Sequence, residues 1–442
     1  MKYKTDINYR KQSLKKLLLC IQKYEKEVLK ALYNDLKKSE FEAVITETSI
    51  VYSELKRTIK NIHSWAKPKK IGSSLLNFPS SDAIYKEPYG DVLIIAPWNY
   101  PFQLAICPII AAVAAGNKVM VKPSELAPNT ASIITKIISE TFESNHVVVK
   151  EGGIEVSQQL LSQRWDYIFF TGSVAVGKIV AKAAAENLTP ITLELGGKNP
   201  CIIDETANIP LAAKRIVWGK MMNAGQTCIA PDYLLVHTAV KEKLQLALQK
   251  EITAAFGENP SESPDFARII NIKNWQRQIN LLENQTIIFG GQVDKASLFV
   301  GPTLIDEPKL DSPLMQEEIF GPILPLLSYQ STEEIWNTIL KFEKPLSLYL
   351  FSENKAFIET VLKEISFGGG CINDTVIHFG NHRLPFGGVG HSGIGSYHGK
   401  RSFDTFSHHK SIVNKANWLD IPMRYAPYKN KLKMLKKLLN WF

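Results

Sequence analysis

Between residues 11 and 66, apolar residues return at helical intervals among lysines and glutamates: Leu14, Leu17, Leu18 and Ile21, then Val28, Leu29, Leu32 and Leu36. A period near 3.6 with one apolar stripe predicts two or three amphipathic helices. The stretch K-P-K-K-I-G-S-S, residues 67 to 74, breaks that period and reads as a loop. From residue 82, D-A-I-Y-K-E-P-Y-G-D-V-L-I-I-A-P reads as two short strands joined through Glu87-Pro88. The second is apolar without alternation, as in a strand buried on both faces. Helix and strand then alternate. An apolar helix through A-I-C-P-I-I-A-A-V-A-A stops at Gly116 and is followed by K-V-M-V-K-P. Helices near 129–143 and 155–163 alternate with H-V-V-V-K and W-D-Y-I-F-F. This order predicts a parallel sheet covered on both faces, the framework of a mononucleotide-type binding domain. A second alternating region, from about 205 to 390, carries L-L-V-H-T, Q-T-I-I-F-G-G, G-P-T-L-I-D, L-P-L-L-S-Y and L-S-L-Y-L-F-S. It predicts a second α/β domain.

Composition agrees with that reading. A chain of 442 residues is too long for one core, and 45% hydrophobic with 21% charged residues is ordinary for a globular protein. The net charge of +9 is spread through the chain, with 43 acidic residues against 52 basic ones, and it reads as a solvated surface. No finger, RNP or basic-zipper pattern is present, so no nucleic-acid partner is expected. The five cysteines, Cys20, Cys107, Cys201, Cys228 and Cys371, are scattered without C-x-x-C or metal-ligand spacing. A reducing, cytoplasmic setting and no metal site are the expectation. No signal-type stretch and no run of 18 apolar residues occurs.

Five stretches carry candidate chemistry. F-T-G-S-V-A-V-G-K, residues 170 to 178, leads from a strand into a helix, where free N–H groups and the helix dipole suit a phosphate. Its Gly172 and Gly177 fit neither G-x-G-x-x-G nor a Walker loop, and a plain turn explains it as well. V-M-V-K-P-S-E, residues 119 to 125, sets Lys122 and Glu125 at a strand's C-terminal end, where a lysine can meet a phosphate and a carboxylate a ribose. In T-L-E-L-G-G-K-N-P, residues 192 to 200, Glu194 lies in an apolar strand. Desolvation would raise its pKa toward that of a general base, unless it points to water from a sheet edge. N-A-G-Q-T-C-I-A-P, residues 223 to 231, holds Cys228, either a nucleophile or a packed thiol. Asn99 in P-W-N-Y-P can direct its amide N–H at a developing oxyanion. A cysteine, an amide donor, a glutamate and a dinucleotide site together suit oxidation of an aldehyde through a thioester.

With these motifs the sequence resembles the NAD(P)-dependent aldehyde dehydrogenase superfamily. P-W-N-Y-P, K-P-S-E, F-T-G-S, L-E-L-G-G-K-N-P, G-Q-T-C, E-E-I-F-G-P and L-P-F-G-G-V-G-H-S-G occur in the family's order. The last of these, with G-S-Y-H-G-K-R-S-F-D-T-F-S-H, resembles the class 3 branch of fatty and aromatic aldehyde dehydrogenases. The resemblance implies Cys228 as nucleophile, Asn99 and the Cys228 N–H as oxyanion donors, and Glu194 as the base that activates water. On the cofactor side it implies Gly172, Ser173 and Gly177 at the pyrophosphate and Lys122 and Glu125 at the adenosine ribose. Glu318 is implied at the nicotinamide ribose, with Phe320 and Trp98 lining the cleft. NAD is favoured, with NADP possible, because Glu125 should repel a 2′-phosphate. Tyr100, Trp218, His378 and His398 are candidate walls for an aliphatic or aromatic aldehyde. A CoA-acylating enzyme and a catalytically retired relative are the rival readings; Glu194 argues against the first, and Cys228, Asn99 and Glu194 together against the second.

The implied fold is α/β and aldehyde dehydrogenase-like, with two doubly wound parallel-sheet domains plus a β oligomerisation arm. Residues 1–81 and 97–196 are assigned to cofactor binding and 197–396 to catalysis. Residues 82–96 and 397–415 are assigned to the arm of a homodimer, and 416–442 to a basic amphipathic tail. Leu432, Leu435, Leu439 and Phe442 fall on one face of that tail among five lysines. Peripheral membrane contact, gating of the active site and packing on a partner subunit are its three possible roles.

Overall fold

The computed structural model describes residues 2–74 and 77–440. Its α/β architecture rests on two sheets. The six-stranded sheet runs in the order Gly393–Ile394, Ile191–Glu194, Tyr167–Thr171, Asp91–Ile95, Lys118–Lys122, Val147–Val149. All its pairings are parallel except that of Gly393–Ile394 with Ile191–Glu194. The seven-stranded sheet runs Ile287–Phe289, Thr303–Asp306, Ile323–Tyr329, Tyr233–His237, Pro200–Ile203, Ser347–Phe351, Gly369–Ile372. It is parallel except for the edge strand Ile287–Phe289.

The apolar periodicity at the N-terminus becomes helices Ile7–Lys23, Glu25–Leu36 and Ser49–Ala66. Asp6 caps the first of these by accepting from the Asn8 and Tyr9 N–H groups. Helix Gln103–Ala115 is buried along its whole length, as its unbroken apolar sequence requires. Gly116 ends it at φ 99, a left-handed conformation in which glycine carries no Cβ penalty.

Several sequence expectations need correction. Strand Lys69–Ile71 lies where a loop was expected. The expected hairpin at 82–96 is divided: Ser80–Pro88 belongs to a three-stranded sheet with Lys69–Ile71 and Ser407–Lys415, whereas Asp91–Ile95 is central in the six-stranded sheet. The reason is burial. Val92, Leu93 and Ile94 are wholly buried, and a strand apolar on both faces is stable only inside a covered sheet. Residues 397–406 are not arm either. Helix Lys400–Thr405 packs against Gln103–Ala115, and its Phe403 is buried. Nor does the stretch 197–396 stay within the second sheet, because Gly393–Ile394 returns to cover the edge of the first.

The chain divides into two compact units, residues 1–65 with 88–408 and residues 66–87 with 409–442. The second contains the tail helix Leu432–Leu439, which exposes Leu432, Leu435 and Leu439. Phe442 lies outside the described residues. No helix among the described residues is long and apolar enough to cross a membrane.

Candidate active site

Cys228 follows a turn that few sequences can form. Helix Ile209–Met221 gives way to Asn223, Ala224 and Gly225 at φ 55, 50 and 74, three successive left-handed residues. Only glycine adopts that region freely, so the surroundings must hold the other two. They do so through hydrogen bonds. The Asn223 N–H donates to the Glu42 carboxylate at 2.8 Å, and Asn223 Nδ2 donates to the Asn99 and Gln226 carbonyls at 2.8 and 3.1 Å. Asn99 Nδ2 donates to the Gln226 carbonyl at 3.0 Å. Beyond the cysteine, Asn199 Nδ2 donates to the Cys228 carbonyl at 2.7 Å and the Tyr349 hydroxyl to the Ile229 carbonyl at 2.6 Å. A cysteine held on both sides is fixed in place rather than left to swing.

The Asn99 backbone is anchored from the N-terminal helices. Lys38 Nζ approaches the Asn99 carbonyl at 3.4 Å and pairs with Glu47 at 2.9 Å, both side chains being fully buried. The other Glu47 oxygen accepts the Phe102 and Gln103 N–H groups at 3.0 and 2.9 Å.

Cys228 and Glu194 wall one cavity of about 320 Å³. Its other walls are mainly apolar and include Ile45, Leu104, Trp218 and Phe386. Burial, with Glu318 and Glu194 nearby, pushes the Cys228 thiol up to about 12; its own N–H and that of Ile229 favour the thiolate and offset part of that push. Glu194 ends its strand between Thr171 and Gly393, and both its carboxylate oxygens are buried without a hydrogen-bond partner. Burial raises its pKa well above the carboxylate range. Its strand would be a sheet edge but for Gly393–Ile394, so the glutamate faces the cavity rather than open water.

Most cofactor candidates lie along the six-stranded sheet, while Glu318 and Phe320 stand on the loop before strand Ile323–Tyr329 of the seven-stranded one. Ser173 caps helix Val174–Glu186, whose first turn holds no acidic residue to oppose an anion. A Cβ at Gly177 would meet Leu195 Cδ2 at 2.7 Å, so glycine lets the helix lie against the sheet. A Cβ at Gly172 would meet the Phe170 ring. Lys122, buried, is paired with the half-exposed Glu125, and the pairing offsets the repulsion that Glu125 alone would exert on a 2′-phosphate. Trp98 and Phe320 meet edge to face at 5.3 Å. Glu318 lies so close to Gly196 that a Cβ there would fall 2.2 Å from its carboxylate. Burial and Asp232 push Glu318 up to about 8. An unopposed helix N-terminus, carboxylates for ribose hydroxyls and glycines where backbone must come close together fit a dinucleotide.

Of the expected pocket residues, Tyr100 and Trp218 line the cavity. His378 is a correction. It does not line the cavity; its ring nitrogens lie 3.4 Å from Cys371 Sγ and 3.4 Å from Ser347 Oγ. That contact gives the part-buried Cys371 thiol an imidazole neighbour. His398 lines an adjoining hollow of about 240 Å³ and stacks on Phe386 at 5.2 Å. Cys20, Cys107 and Cys201 are buried.

Sequence reasoning missed the supports. Lys198 pairs with Asp232 at 2.6 Å, and the other Asp232 oxygen accepts the Ile319 N–H at 3.0 Å, which fixes the Glu318 loop. Arg277 Nη1 donates to the Glu318 carbonyl at 3.1 Å. Lys198 and Asn199 stand within the quoted G-G-K-N-P, where a signal existed; Lys38, Glu42 and Glu47 sit among ordinary helical charges and gave none.

A part-buried cysteine and a buried glutamate sharing a mainly apolar cavity, beside a sheet with features that suit a dinucleotide, fit an oxidoreductase that works on carbonyl carbon. The model of the aldehyde dehydrogenase family matches residues 3–412, and the chain belongs to that family. It is 52% identical over 433 residues, 98% of this chain and 94% of the relative, to 4,4′-diaponeurosporen-aldehyde dehydrogenase of Staphylococcus aureus. It is 45% identical to aldehyde dehydrogenase family 3 member A2 of Pongo abelii, over 93% of this chain and 84% of that one. The solved substrate-bound state of a Staphylococcus aureus AldH superposes with a TM-score of 0.97 at 52% identity, covering 99% of this chain and 96% of that one. An NAD+ complex of a Mycobacterium tuberculosis aldehyde dehydrogenase gives 0.84 at 25% identity, over 96% and 87%. The activity is accordingly NAD(P)-dependent oxidation of aldehydes.

Proposed function

We propose that Cys228 attacks the aldehyde carbon while the Asn99 amide and the Cys228 N–H hold the resulting oxyanion. NAD(P)+ bound along the six-stranded sheet supplies the hydride acceptor. The residues that would hold it are Ser173, Gly172 and Gly177 at the pyrophosphate, Lys122 and Glu125 at one ribose, and Glu318 at the other, with Trp98 and Phe320 beside them. The acyl group stays on Cys228 as a thioester, and Glu194 takes a proton from the water that hydrolyses it to a carboxylic acid. The observation that carries this reading is Glu194: an unpartnered buried carboxylate in the same cavity as the thiol. A CoA-acylating enzyme would need no such base.

The substrate class is a large apolar aldehyde. Support comes from the mainly apolar cavity walls and from the relatives, one named for 4,4′-diaponeurosporen-aldehyde. The six-stranded sheet serves cofactor binding and the seven-stranded sheet catalysis. The strand Ser407–Lys415, at the edge of its sheet with Ile412 and Val413 exposed, supports a homodimer formed through strand pairing. The tail helix, with Leu432, Leu435 and Leu439 exposed among lysines, supports contact with a membrane surface.

The test follows NADH absorbance with a panel of long-chain and aromatic aldehydes. Cys228→Ala should abolish turnover. Glu194→Gln should give a burst of about one NADH per site followed by slow turnover. A wild-type enzyme that reduces NAD(P)+ only with CoA present would sink the hydrolytic reading.

A further inference from the structure

Helix Ser49–Ala66 carries Lys56, Arg57 and Lys60, and across from them stand Arg383, Lys400 and Arg401. These six cations wall one hollow of about 910 Å³. Among the described residues, little neutralises them. Lys400 pairs with Asp404, and Glu54 acts on Arg57 electrostatically. Among the described residues, Lys56, Lys60, Arg383 and Arg401 make no ion pair. Arg57 keeps a buried Nε with no hydrogen-bond partner. A charge of one sign lining a concave surface focuses its field and attracts anions.

The location gives that charge a use. The basic hollow shares Ser53, His382 and His398 with the hollow of about 240 Å³, which in turn shares Ile50, Gln103, Phe379 and Tyr397 with the Cys228 cavity. The series grades from apolar at the thiol, through polar walls, to cationic. A single carboxylate would be satisfied by one or two cations; six around a wide opening match several phosphates side by side.

We propose that this basic hollow docks the phosphate headgroups of an anionic lipid surface, setting the outer end of the cavity series against the bilayer. The proposal rests on the reading of the substrate as a large apolar aldehyde, which partitions into lipid and would then reach Cys228 without crossing water. Each basic side chain near such a surface adds to binding, and the attraction is screened by salt.

The test is co-sedimentation of the full chain with phosphatidylglycerol–phosphatidylcholine vesicles and with pure phosphatidylcholine vesicles, which needs no catalysis. Wild type should pellet with the anionic vesicles and be released as salt rises. The Lys60→Gln/Arg383→Gln/Arg401→Gln variant should partition on the order of 100-fold more weakly. Lys60→Arg should pellet like wild type, and melting curves check that each variant folds. Equal pelleting of wild type and the triple variant, or equal pelleting with neutral vesicles, would overturn the proposal. So would unchanged vesicle binding in the triple variant with a raised KM for a soluble aldehyde bearing a distal carboxylate, because the hollow would then be a substrate subsite. Failure of the substrate reading appears separately, as long-chain aldehydes left unoxidised by an enzyme that still binds vesicles.

Discussion

Burial at single residues sets how this site responds to pH. Glu194 and Cys228 are both raised by desolvation, Cys228 to about 12, so each ionises only as pH climbs, and the proposed roles need both ionised. kcat/KM should therefore rise from neutral pH into the alkaline range rather than peak near 7, and a pH–rate profile with NAD+ in excess checks this. The same burial costs stability. A carboxyl whose folded pKa is raised contributes stability fully present below its unfolded pKa, which is lost as pH rises through the folded value. Glu194→Gln should thus melt higher than wild type at pH 8 by about a few degrees, and the gap should close near pH 4. Glu42 follows the same sign with its folded value pushed to about 7 by burial. Its role differs, because its carboxylate accepts the N–H of the strained Asn223. Glu42→Gln keeps an acceptor and should retain most activity, whereas Glu42→Ala leaves a donor unpaired, at a cost of about 1–3 kcal/mol. A fall in kcat confined to the alanine variant would identify Glu42 as a support of the cysteine turn; equal activity of the two would remove it from that role.

At the scale of elements, function depends on two loops meeting. Gly225, at φ 74, lies so close to Gly321 that a Cβ would fall 2.2 Å from its carbonyl oxygen and 2.4 Å from its carbonyl carbon. Both obstacles are backbone, so neither can swing aside. Gly225→Ala should part the cysteine turn from the loop that bears Glu318 and Phe320. Since a displacement of about 1 Å can cost on the order of 100-fold in rate, kcat should fall by that order and KM for NAD+ should rise, with far-UV circular dichroism unchanged. Most strand and helix elements were legible in the sequence, because unbroken apolar runs mark covered parallel strands, whereas the exposed strand Lys69–Ile71 has no such run and was not. The pairing of loops was not. Gly225 and Gly321 are 96 positions apart, and no local pattern links them.

For the whole molecule, the proposed dimer turns on the strand Ser407–Lys415, nearly all of it exposed. Proline removes a ladder N–H. Val413→Pro should therefore shift the enzyme from dimer toward monomer by light scattering, while Ser407→Ala, at the buried start of the same strand, should leave the dimer intact. An unchanged mass for Val413→Pro would place the interface elsewhere. The cationic hollow belongs to this scale too. Its members come from residues 56–60 and 383–401, and in the sequence they pass for an ordinary solvated surface.

The sequence by itself determined the alternation of strand and helix and the family, and it singled out Cys228, Glu194 and Asn99 as candidates, because local periodicity and short motifs are carried by neighbouring residues. Tertiary structure alone decided which strands share a sheet: Asp91–Ile95 went to the six-stranded sheet and Ser80–Pro88 elsewhere. It decided that Glu194 faces the thiol's cavity, since Gly393–Ile394 closes an edge that the chain reaches about 200 residues later. It also decided that Lys38, Glu42 and Glu47 brace Asn99 and the cysteine turn from the N-terminal helical segment. Burial and charge pairing arise between segments distant in the chain, and desolvation, which raises Cys228, Glu194 and Glu318, exists only once those segments have packed.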